Sequence, residues 1–238
     1  MDISLTGSCY FGEQRLFDEL HLDIGSGEWT CLLGASGVGK STVLRLLAGL
    51  ETGAQFKGKI LFDGDLEQQP IAYMAQSDLL LPWLSVLDNV LLGARLRKEN
   101  PDQDKASDLI QKAGLSGHAS KKPHQLSGGM RQRVALVRTL MENTDVVLLD
   151  EPFTALDTRT RHEMQELSFN MLQGKTVLLV THDPAEAVRL GNGLFILTEQ
   201  GARRYELPVS QPIREVDDPL LMNAQAKLLV SLREGQHG

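Results

Sequence analysis

Hydrophobic and polar residues follow patterns along the chain that predict both strands and helices. Residues 20–24 alternate between apolar and polar side chains, which is the period of a strand with one buried face. Residues 29–33 form a short, mostly apolar run, and residues 41–50 carry apolar side chains at helical spacing. A glycine-rich stretch separates these last two segments. The N-terminal part therefore predicts the order strand, loop, helix.

The second half of the chain predicts the centre of a parallel sheet. Residues 146–149 and 177–180 are apolar at every position, which is typical of strands that are covered on both faces. Residues 159–172 between them have a helical pattern. This strand–helix–strand alternation predicts an α/β fold with a mostly parallel sheet.

The segments between these two regions change in character along the chain. Residues 59–62 and 71–75 predict a pair of strands, with a turn that starts at Asp63-Gly64. From about residue 84 to residue 130 the strand signals stop, and helices are predicted at residues 86–97 and 104–113. This change indicates an inserted helical lobe.

We expect a single domain with internal subdivisions. Residues 1–82 and 131–205 are predicted to form the core with its β subdomain, and residues 83–130 the helical subdomain. Residues 206–238 form a tail, in which residues 218–232 are predicted to be helical.

Composition and charge narrow the class of protein. The 238 residues include 24 Lys and Arg against 31 Asp and Glu, a net charge of −7, which disfavours binding to nucleic acid or to an anionic membrane surface. The sequence shows neither a secretory signal nor the ~20 apolar residues of a membrane-spanning helix. We therefore expect a soluble cytosolic protein. In that reducing environment Cys9 and Cys31 are predicted to be buried free thiols, with a disulfide as the alternative.

A phosphate-binding loop is predicted between the first apolar run and the first helix. Residues 34–41 read GASGVGKS and fit the pattern G-x-x-x-x-G-K-[ST]. Glycines let several backbone N–H groups face one phosphate at the positive end of the next helix. Lys40 would reach the β- and γ-phosphates, and the Ser41 hydroxyl would ligate Mg²⁺. The alternative is a chance glycine loop with a surface lysine. The predicted nucleotide contacts are Gly34, Ala35, Ser36, Gly37, Val38, Gly39, Lys40, Ser41 and Thr42.

An acidic pair follows the apolar run at residues 146–149. Asp150 would hold Mg²⁺, through water, and Glu151 would lie next to it at the carboxyl end of the strand, where open α/β sheets bind ligands. Such a pair can divide the work, because one carboxylate orders the metal while the other polarises the attacking water. In the alternative interpretation, Glu151 only caps the helix beyond Pro152.

A third motif, at residues 126–133, reads LSGGMRQR. Ser127 and two glycines precede the helical run at residues 134–140, so they predict a second helix N-terminus suited to an anion. The octet also resembles the signature sequence of ATP-binding-cassette (ABC) ATPases. The other motifs of that family occur in family order, and the resemblance covers about residues 1–200: the phosphate loop, Gln76 at a strand end, the signature, residues 146–151, Ala155-Leu156-Asp157, and His182.

The resemblance implies a fold and a mode of assembly. The fold is a P-loop NTPase cassette with a mostly parallel central sheet, an N-terminal antiparallel β subdomain and an inserted α-helical lobe. In the family, two such domains pair head to tail, and each ATP lies between the phosphate loop of one and the signature helix of the other. We therefore expect ATP and Mg²⁺ as cofactors, and a second copy of the chain as a partner.

The resemblance also implies roles for single residues. Glu151 corresponds to the general base, and His182 to the contact with the γ-phosphate and the attacking water. Gln76 would ligate Mg²⁺ and report its occupancy to the neighbouring subunit. Contacts across the dimer interface are expected from Ser127 and Gly129 to the γ-phosphate, and from Asp157 to the opposite site. Gly128 is a further expected nucleotide contact.

Two further side chains are placed by the family pattern together with their position in the chain. An aromatic ring that stacks on adenine is expected near Tyr10 or Phe11, and Phe11, just before Gly12, is the better match; an ordinary strand aromatic is its alternative. His182 follows a predicted buried strand and should emerge at the carboxyl edge of the sheet. Taken alone, a single histidine is more often structural.

Residues 79–83, LLLPW, bear on which ABC protein this is. In the family this segment borders the groove that receives a cytoplasmic helix of the membrane subunit, and the alternative is core packing. The stretch of residues 76–90 resembles the cassette subunits of importers for nitrate, sulfonates, taurine and thiamine-precursor pyrimidines. One departure lies at Gly191-Asn192-Gly193, where relatives commonly have an Asp-Arg pair, which puts a structural ion pair in doubt.

These resemblances predict an ATP-hydrolysing subunit that lies peripherally on the cytoplasmic face of the cell membrane. It would power import of a small polar solute through separate permease subunits, and it would be served indirectly by a solute-binding protein. Nucleic acid is not an expected partner. The alternatives are the ATPase of an exporter or lipoprotein-release complex, and a soluble cassette ATPase outside transport.

Overall fold

The computed structural model describes residues 1–63 and 71–234 and divides into two compact units. The first unit comprises Met1–Ile71, Asp145–Asp150 and Gly174–Gly238, and the second comprises Ala72–Thr144 and Glu151–Gln173. Residues 83–130, predicted from the sequence to be a helical subdomain, lie inside the second unit. The subdomain boundaries expected from the sequence stay a prediction.

Strands dominate the beginning and the later part of the chain, and helices dominate the middle. The strands are β1 (Ile3–Phe11), β2 (Gln14–Ile24), β3 (Trp29–Gly34), β4 (Gln55–Phe62), β5 (Ile71–Met74), β6 (Val146–Asp150), β7 (Thr176–Thr181), β8 (Gly193–Thr198) and β9 (Gly201–Tyr205). The α-helices are α1 (Lys40–Leu47), α2 (Val86–Val90), α3 (Leu92–Leu96), α4 (Gln103–Lys112), α5 (Gly128–Met141), α6 (Thr158–Met171), α7 (Pro184–Leu190) and α8 (Pro219–Glu234). None of the helices in the described parts of the chain has both the length and the apolarity to cross a bilayer.

The core of the first unit is built on a mostly parallel sheet. β3 pairs in parallel with β7 and β8, β7 pairs in parallel with β6, and β9 runs antiparallel to β8. Every residue of β3, β6 and β7 is buried, as their continuous apolar runs predict. The predicted α/β class is confirmed. Cys9 and Cys31 are buried free thiols, as predicted.

A separate antiparallel sheet in the same unit has the strand order β2-β1-β4. The prediction that residues 59–62 and 71–75 pair with each other is wrong, because β4 pairs with β1, with Leu5 opposite Ile60, and β5 is not part of this sheet. The nine residues of β1 offer β4 a longer hydrogen-bonded ladder than the four residues of β5. Gly64 of the predicted turn lies outside the described residues.

Most predicted helices are found within one or two residues of their expected ends, with three exceptions. α5 begins at Gly128, before the predicted run at residues 134–140, because the Ser127 side chain caps the helix there. α1 stops at Leu47, before residue 50, because Gly49 adopts a left-handed φ of 66° and turns the chain out of the helix. The predicted helix at residues 86–97 is two short helices, α2 and α3. Leu91 separates them, since its ψ of 1° departs from helical geometry.

The Gly191-Asn192-Gly193 segment is held without an Asp-Arg pair. The Asn192 side-chain oxygen accepts a hydrogen bond from the Trp29 N–H at 2.9 Å, and the Asn192 N–H donates to the Trp29 carbonyl at 2.7 Å. The buried Arg214 guanidinium donates to the carbonyls of Val188 and Gly191 at 2.6 and 2.9 Å. Hydrogen bonds from the Asn192 and Arg214 side chains to the backbone thus hold this segment in place.

Candidate nucleotide-binding and catalytic site

The phosphate loop of the first unit joins β3 to α1, as predicted. Gly37 and Gly39 have φ angles of 84° and 103°, which a residue with a side chain adopts only under strain. Gly34 is needed for another reason, because a Cβ atom there would lie 2.7 Å from the Leu197 carbonyl oxygen. The three glycines therefore let the backbone coil tightly in front of the first turn of α1.

Lys40 lies in this loop with its ammonium group turned inward. Its Nζ donates hydrogen bonds to the carbonyls of Gly34 and Ala35 at 2.8 and 2.9 Å, and only 5% of the residue is exposed. Burial of a cation costs free energy unless anionic or carbonyl oxygens surround it. The loop thus holds a positive charge where a bound phosphate would supply further oxygens.

Asp150 and His182 lie at the same edge of the sheet as the phosphate loop. β3, β7 and β6 are neighbours in parallel, with Leu33 opposite Thr181 and Asp150 opposite Val180, so their carboxyl ends meet. Asp150 is 2% exposed, whereas the His182 side chain directly after β7 is exposed. The first unit therefore brings together three of the predicted elements: the loop, the acidic strand end and the histidine.

Oxygen donors at this edge suit a magnesium ion. The half-buried Ser41 hydroxyl stands in the first turn of α1, which packs against β6, the strand that ends in Asp150. Mg²⁺ is typically bound by one or two protein oxygens together with substrate phosphates. The described residues include no group of three or more His, Cys, Asp or Glu that could hold a metal by itself. The donor set thus fits an ion that arrives with a nucleotide.

A cavity of about 430 Å³ lies beside the loop. Residues 34–38 line one side, and residues 14–16 of β2 and 196–200 around the end of β8 line another. Its volume is within the range of small-molecule sites.

The Phe11 ring, 56% exposed, protrudes at the end of β1, whereas the half-buried Tyr10 ring carries the Lys57 ammonium 5.4 Å from its centroid. Of the two predicted aromatic residues, Phe11 offers the freer ring face.

The signature motif begins α5 in the second unit. Ser127 is the N-cap, and its hydroxyl oxygen accepts a hydrogen bond from the Met130 N–H at 3.2 Å. Gly128 and Gly129 form the first helical residues, whose N–H groups have no partner within a helix of this kind. A Cβ atom on Gly129 would lie 3.2 Å from the Ala155 carbonyl oxygen, so the backbone comes close at this point. The motif thus has the geometry of an anion-binding helix start.

Glu151 and Gln76 are in contact in the second unit. The Glu151 Oε2 atom accepts hydrogen bonds from the Gln76 side-chain amide and the Thr154 hydroxyl, both at 3.3 Å. Glu151 is 9% exposed, and its backbone φ of 49° is left-handed, a conformation that costs a non-glycine residue about 1–3 kcal/mol. This left-handed backbone conformation sets the direction in which the Glu151 side chain projects from the chain.

Asp157 is the N-cap of α6. Its carboxylate accepts a hydrogen bond from the Thr160 N–H at 3.1 Å. Contacts with the Thr160 hydroxyl and then with the Thr160 N–H hold the pKa of Asp157 below its usual value. The alternative in which Glu151 caps this helix is therefore wrong. The contact of Asp157 with an opposite site stays a prediction.

The LLLPW segment is divided between core and surface. Leu80 is 8% exposed, whereas Leu79 and Trp83 are 62% and 66% exposed. The Arg138 guanidinium of α5 donates to the carbonyls of Asp78 and Leu79 at 2.9 Å each, and Arg131 pairs with the Asp78 carboxylate at 3.0 Å. The start of the segment, at residues 78 and 79, is thus held against α5.

Sequence reasoning missed one buried side chain of the signature motif. Gln132 of α5 is 7% exposed and contacts the backbone on both sides of the turn that follows Glu151. Its place in the octet was the only available signal, because its partners lie 19 and 23 residues away in the chain.

Comparisons with known proteins agree with this geometry. Residues 17–154 match the family model described as ABC transporter. An uncharacterized ABC transporter ATP-binding protein of Haemophilus influenzae is 48% identical, over 97% of this chain and 96% of its own. The aliphatic sulfonates import ATP-binding protein SsuB 2 of Pseudomonas syringae pv. tomato is 39% identical over 99% of both chains.

A solved dimer of the ATP-binding cassette MJ0796, bound to ADP and Pi, superimposes with a TM-score of 0.75 and 29% identity, covering 87% of this chain and all of that one. The family-model match at residues 17–154 includes the phosphate loop, the signature and the acidic strand end, and the fold is that of the solved cassette. The chain therefore belongs to the ABC transporter family of ATP-binding cassettes, which are ATPases.

Proposed function

We propose that this chain is the ATP-hydrolysing subunit of an importer for a small polar solute and that it works as a homodimer on a membrane permease. The observation that carries the proposal is that each unit has one anion-binding helix start, at α1 in the first and at α5 in the second, combined with full-length similarity to a sulfonate import subunit. In the proposed dimer, each triphosphate contacts the start of α1 in one copy and the start of α5 in the other.

The first unit would bind ATP. The N–H groups of the phosphate loop face the β- and γ-phosphates, and the Lys40 ammonium exchanges carbonyl contacts for phosphate oxygens. Phe11 stacks on the adenine ring. Ser41, Asp150 through water, and Gln76 would hold Mg²⁺, which would neutralise charge on the phosphate oxygens.

Hydrolysis would use the carboxylate of Glu151 as the base. A water oxygen attacks the γ-phosphorus, its proton passes to Glu151, and the bond to the β–γ bridging oxygen breaks with its electron pair leaving on ADP. His182 contacts the γ-phosphate and the water. From the second copy, Ser127, Gly128 and Gly129 donate to the same γ-phosphate, and Asp157 reaches the opposite site. The MJ0796 cassette, a dimer bound to ADP and Pi, supports the pairing of two copies by analogy.

The exposed Leu79 and Trp83 side chains would bind the permease at the cytoplasmic face of the membrane. Large apolar side chains that remain exposed on an anchored segment are typical of protein contact sites. Several relatives at about 40% identity are named as aliphatic sulfonates import subunits. We therefore propose a cargo of the sulfonate, taurine or nitrate type, or a thiamine-precursor pyrimidine, delivered by a solute-binding protein.

The decisive experiment is native purification of the chain from detergent-solubilised membranes, followed by ATPase and transport measurements. A permease subunit should copurify, ATPase activity should rise in its presence, and uptake of a labelled sulfonate should need ATP. Trp83→Glu should abolish the association without lowering the basal ATPase rate. Leu96→Glu is the matched control, because Leu96 is another apolar residue of the second unit, 74% exposed.

The possible outcomes separate the candidate functions. Copurification with a membrane subunit that expels substrate would show an exporter or a lipoprotein-release complex. Absence of any membrane subunit, together with tight retention of nucleic acid at physiological salt, would replace transport with a soluble role. The net charge of −7 argues against that second result.

A further inference from the structure

The signature helix (α5) carries a buried side chain whose amide nitrogen and amide oxygen both form hydrogen bonds with another functional segment. Gln132, the fifth residue of this helix, directs its amide toward residues 151–157, the segment that starts with Glu151 and ends with Asp157. Its Nε2 atom donates to the Glu151 carbonyl oxygen at 3.0 Å, and its Oε1 atom accepts from the Ala155 N–H at 2.9 Å. A flipped amide would place like groups against each other, so these partners fix its orientation.

The contacts of Gln132 fall on backbone groups at the two ends of one turn. Within this turn the Thr154 N–H donates a long hydrogen bond, of 3.4 Å, to the same Glu151 carbonyl. Glu151 holds a left-handed φ of 49°, which persists only where surrounding contacts enforce it. Buried backbone groups need hydrogen-bond partners, and Gln132 supplies one at each end of this turn.

We propose that Gln132 is a positioning residue for ATP hydrolysis, and this inference rests on the proposed role of Glu151 as the base. Gln132 holds the backbone from which the Glu151 carboxylate projects and ties it to the first turns of the signature helix. The same helix start carries Ser127, Gly128 and Gly129. In the dimer, the nucleotide held by the second copy would contact this helix start. Gln132 therefore links that contact to Glu151 of its own chain.

A kinetic comparison of two substitutions in the same helix tests the proposal. Gln132→Leu keeps the volume and removes both hydrogen bonds. Thr139→Val is the matched control, because Thr139 is equally buried at 6% exposure and its hydroxyl donates only to the Ala135 carbonyl within the helix, at 3.1 Å. Gln132→Leu should lower kcat for ATP hydrolysis about 10- to 100-fold, since a misplaced reacting group costs that order of rate. The KM for ATP should stay within about twofold of its original value, and Thr139→Val should leave both constants unchanged.

Gln132→Glu provides a second variant, and it carries the test if Gln132→Leu does not fold. It keeps an acceptor for the Ala155 N–H but turns a carboxylate oxygen toward the Glu151 carbonyl, so kcat should fall as in the leucine variant. Full kcat in either folded variant, or an equal loss in Thr139→Val, would overturn the proposal.

A double substitution separates positioning from general damage. In a Glu151→Gln background, Gln132→Leu should cause almost no further loss of kcat, because the base that it positions is already gone. If the losses of kcat from the two single substitutions multiply in the double variant, Gln132 acts by another route. If Glu151→Gln alone keeps full activity, the proposed base itself is wrong. If the single variant Glu151→Gln is slow and the single variant Gln132→Leu is fully active, Glu151 keeps its role as the base and only the positioning role of Gln132 is wrong.

Discussion

Replacing Glu151 with glutamine exchanges one oxygen atom for an NH₂ group and removes the proposed proton acceptor. The backbone carbonyl of residue 151 keeps its hydrogen bond from Gln132, and glutamine meets the left-handed φ of 49° with the same strain as glutamate. Gln76 and Thr154 still find one acceptor oxygen on the new side chain. The substitution should therefore leave the fold and the nucleotide affinity in place.

The two energetic effects of this substitution differ in size. Hydrogen bonds to a charged group contribute about 1.5–3 kcal/mol against about 0.5–1.5 for neutral pairs, and both bonds to Glu151 are long at 3.3 Å, so the stability loss is about 1 kcal/mol. That loss corresponds to a Tm decrease of about 2–4 °C. Loss of a general base slows hydrolysis about 10²–10⁴-fold, or about 2.7–5.4 kcal/mol of barrier. The rate effect should thus greatly exceed the stability effect.

Single-turnover hydrolysis of γ-labelled ATP, with gel filtration of the ATP-bound protein, measures both consequences. Glu151→Gln should keep ATP bound, accumulate as a dimer and release phosphate at least 100-fold more slowly. Glu163→Gln makes the same chemical change on an exposed residue that pairs with Arg159, and it should turn over normally. Hydrolysis by Glu151→Gln within threefold of the unchanged protein would refute the assignment of the base.

Three further predictions concern the loop and the thiols. Lys40→Ala should reduce ATP affinity at least 100-fold by calorimetry, because the charge inside the loop is lost; retained binding would place the phosphates elsewhere. Gly39→Ala should lower the free energy of unfolding by about 1–3 kcal/mol in urea titrations, since φ is 103° and a Cβ atom would lie 3.1 Å from the Phe17 ring. Burial raises the pKa of the Cys31 thiol, so neither Cys31 nor Cys9 should react with a thiol reagent until the protein unfolds.

Matched measurements make these results interpretable. Gly117→Ala introduces a Cβ atom into open space at ordinary φ, so its unfolding free energy should match that of the original protein. In denaturant, a thiol reagent should titrate two thiols per chain. If it titrates no thiol, the two cysteines form a disulfide. A loss of stability in Gly117→Ala equal to that in Gly39→Ala would remove the argument from the left-handed φ.

The phosphate loop and the buried strands could be predicted because their signals are local. Glycines at fixed spacing before Lys40, and apolar runs at residues 146–149 and 177–180, each determine their own conformation or burial. The same holds for most helices, because the side chain that caps the helix and the backbone N–H that it binds are only two or three residues apart. Asp102 at the start of α4 is an example, since its side chain accepts a hydrogen bond from the Lys105 N–H.

Strand pairing and buried polar contacts could not be read from the sequence, because their partners are remote. β4 pairs with β1, about 50 residues earlier, although a turn signal directly follows it. Arg214 binds carbonyls 23 and 26 residues away, and no local pattern distinguishes it from a surface arginine. Only the folded backbone determines which of several available carbonyls a long polar side chain reaches.

The attachment of the LLLPW segment to the signature helix has a consequence for coupling. Arg138 binds two consecutive carbonyls of residues 78 and 79, and Arg131 pairs with Asp78, so the start of this segment is held on the helix that begins after Ser127. In the proposed complex, a permease that contacts Leu79 and Trp83 would therefore act on the signature helix without any contact between the cassette and the solute. A different solute would then require a different permease, whereas the cassette could stay the same.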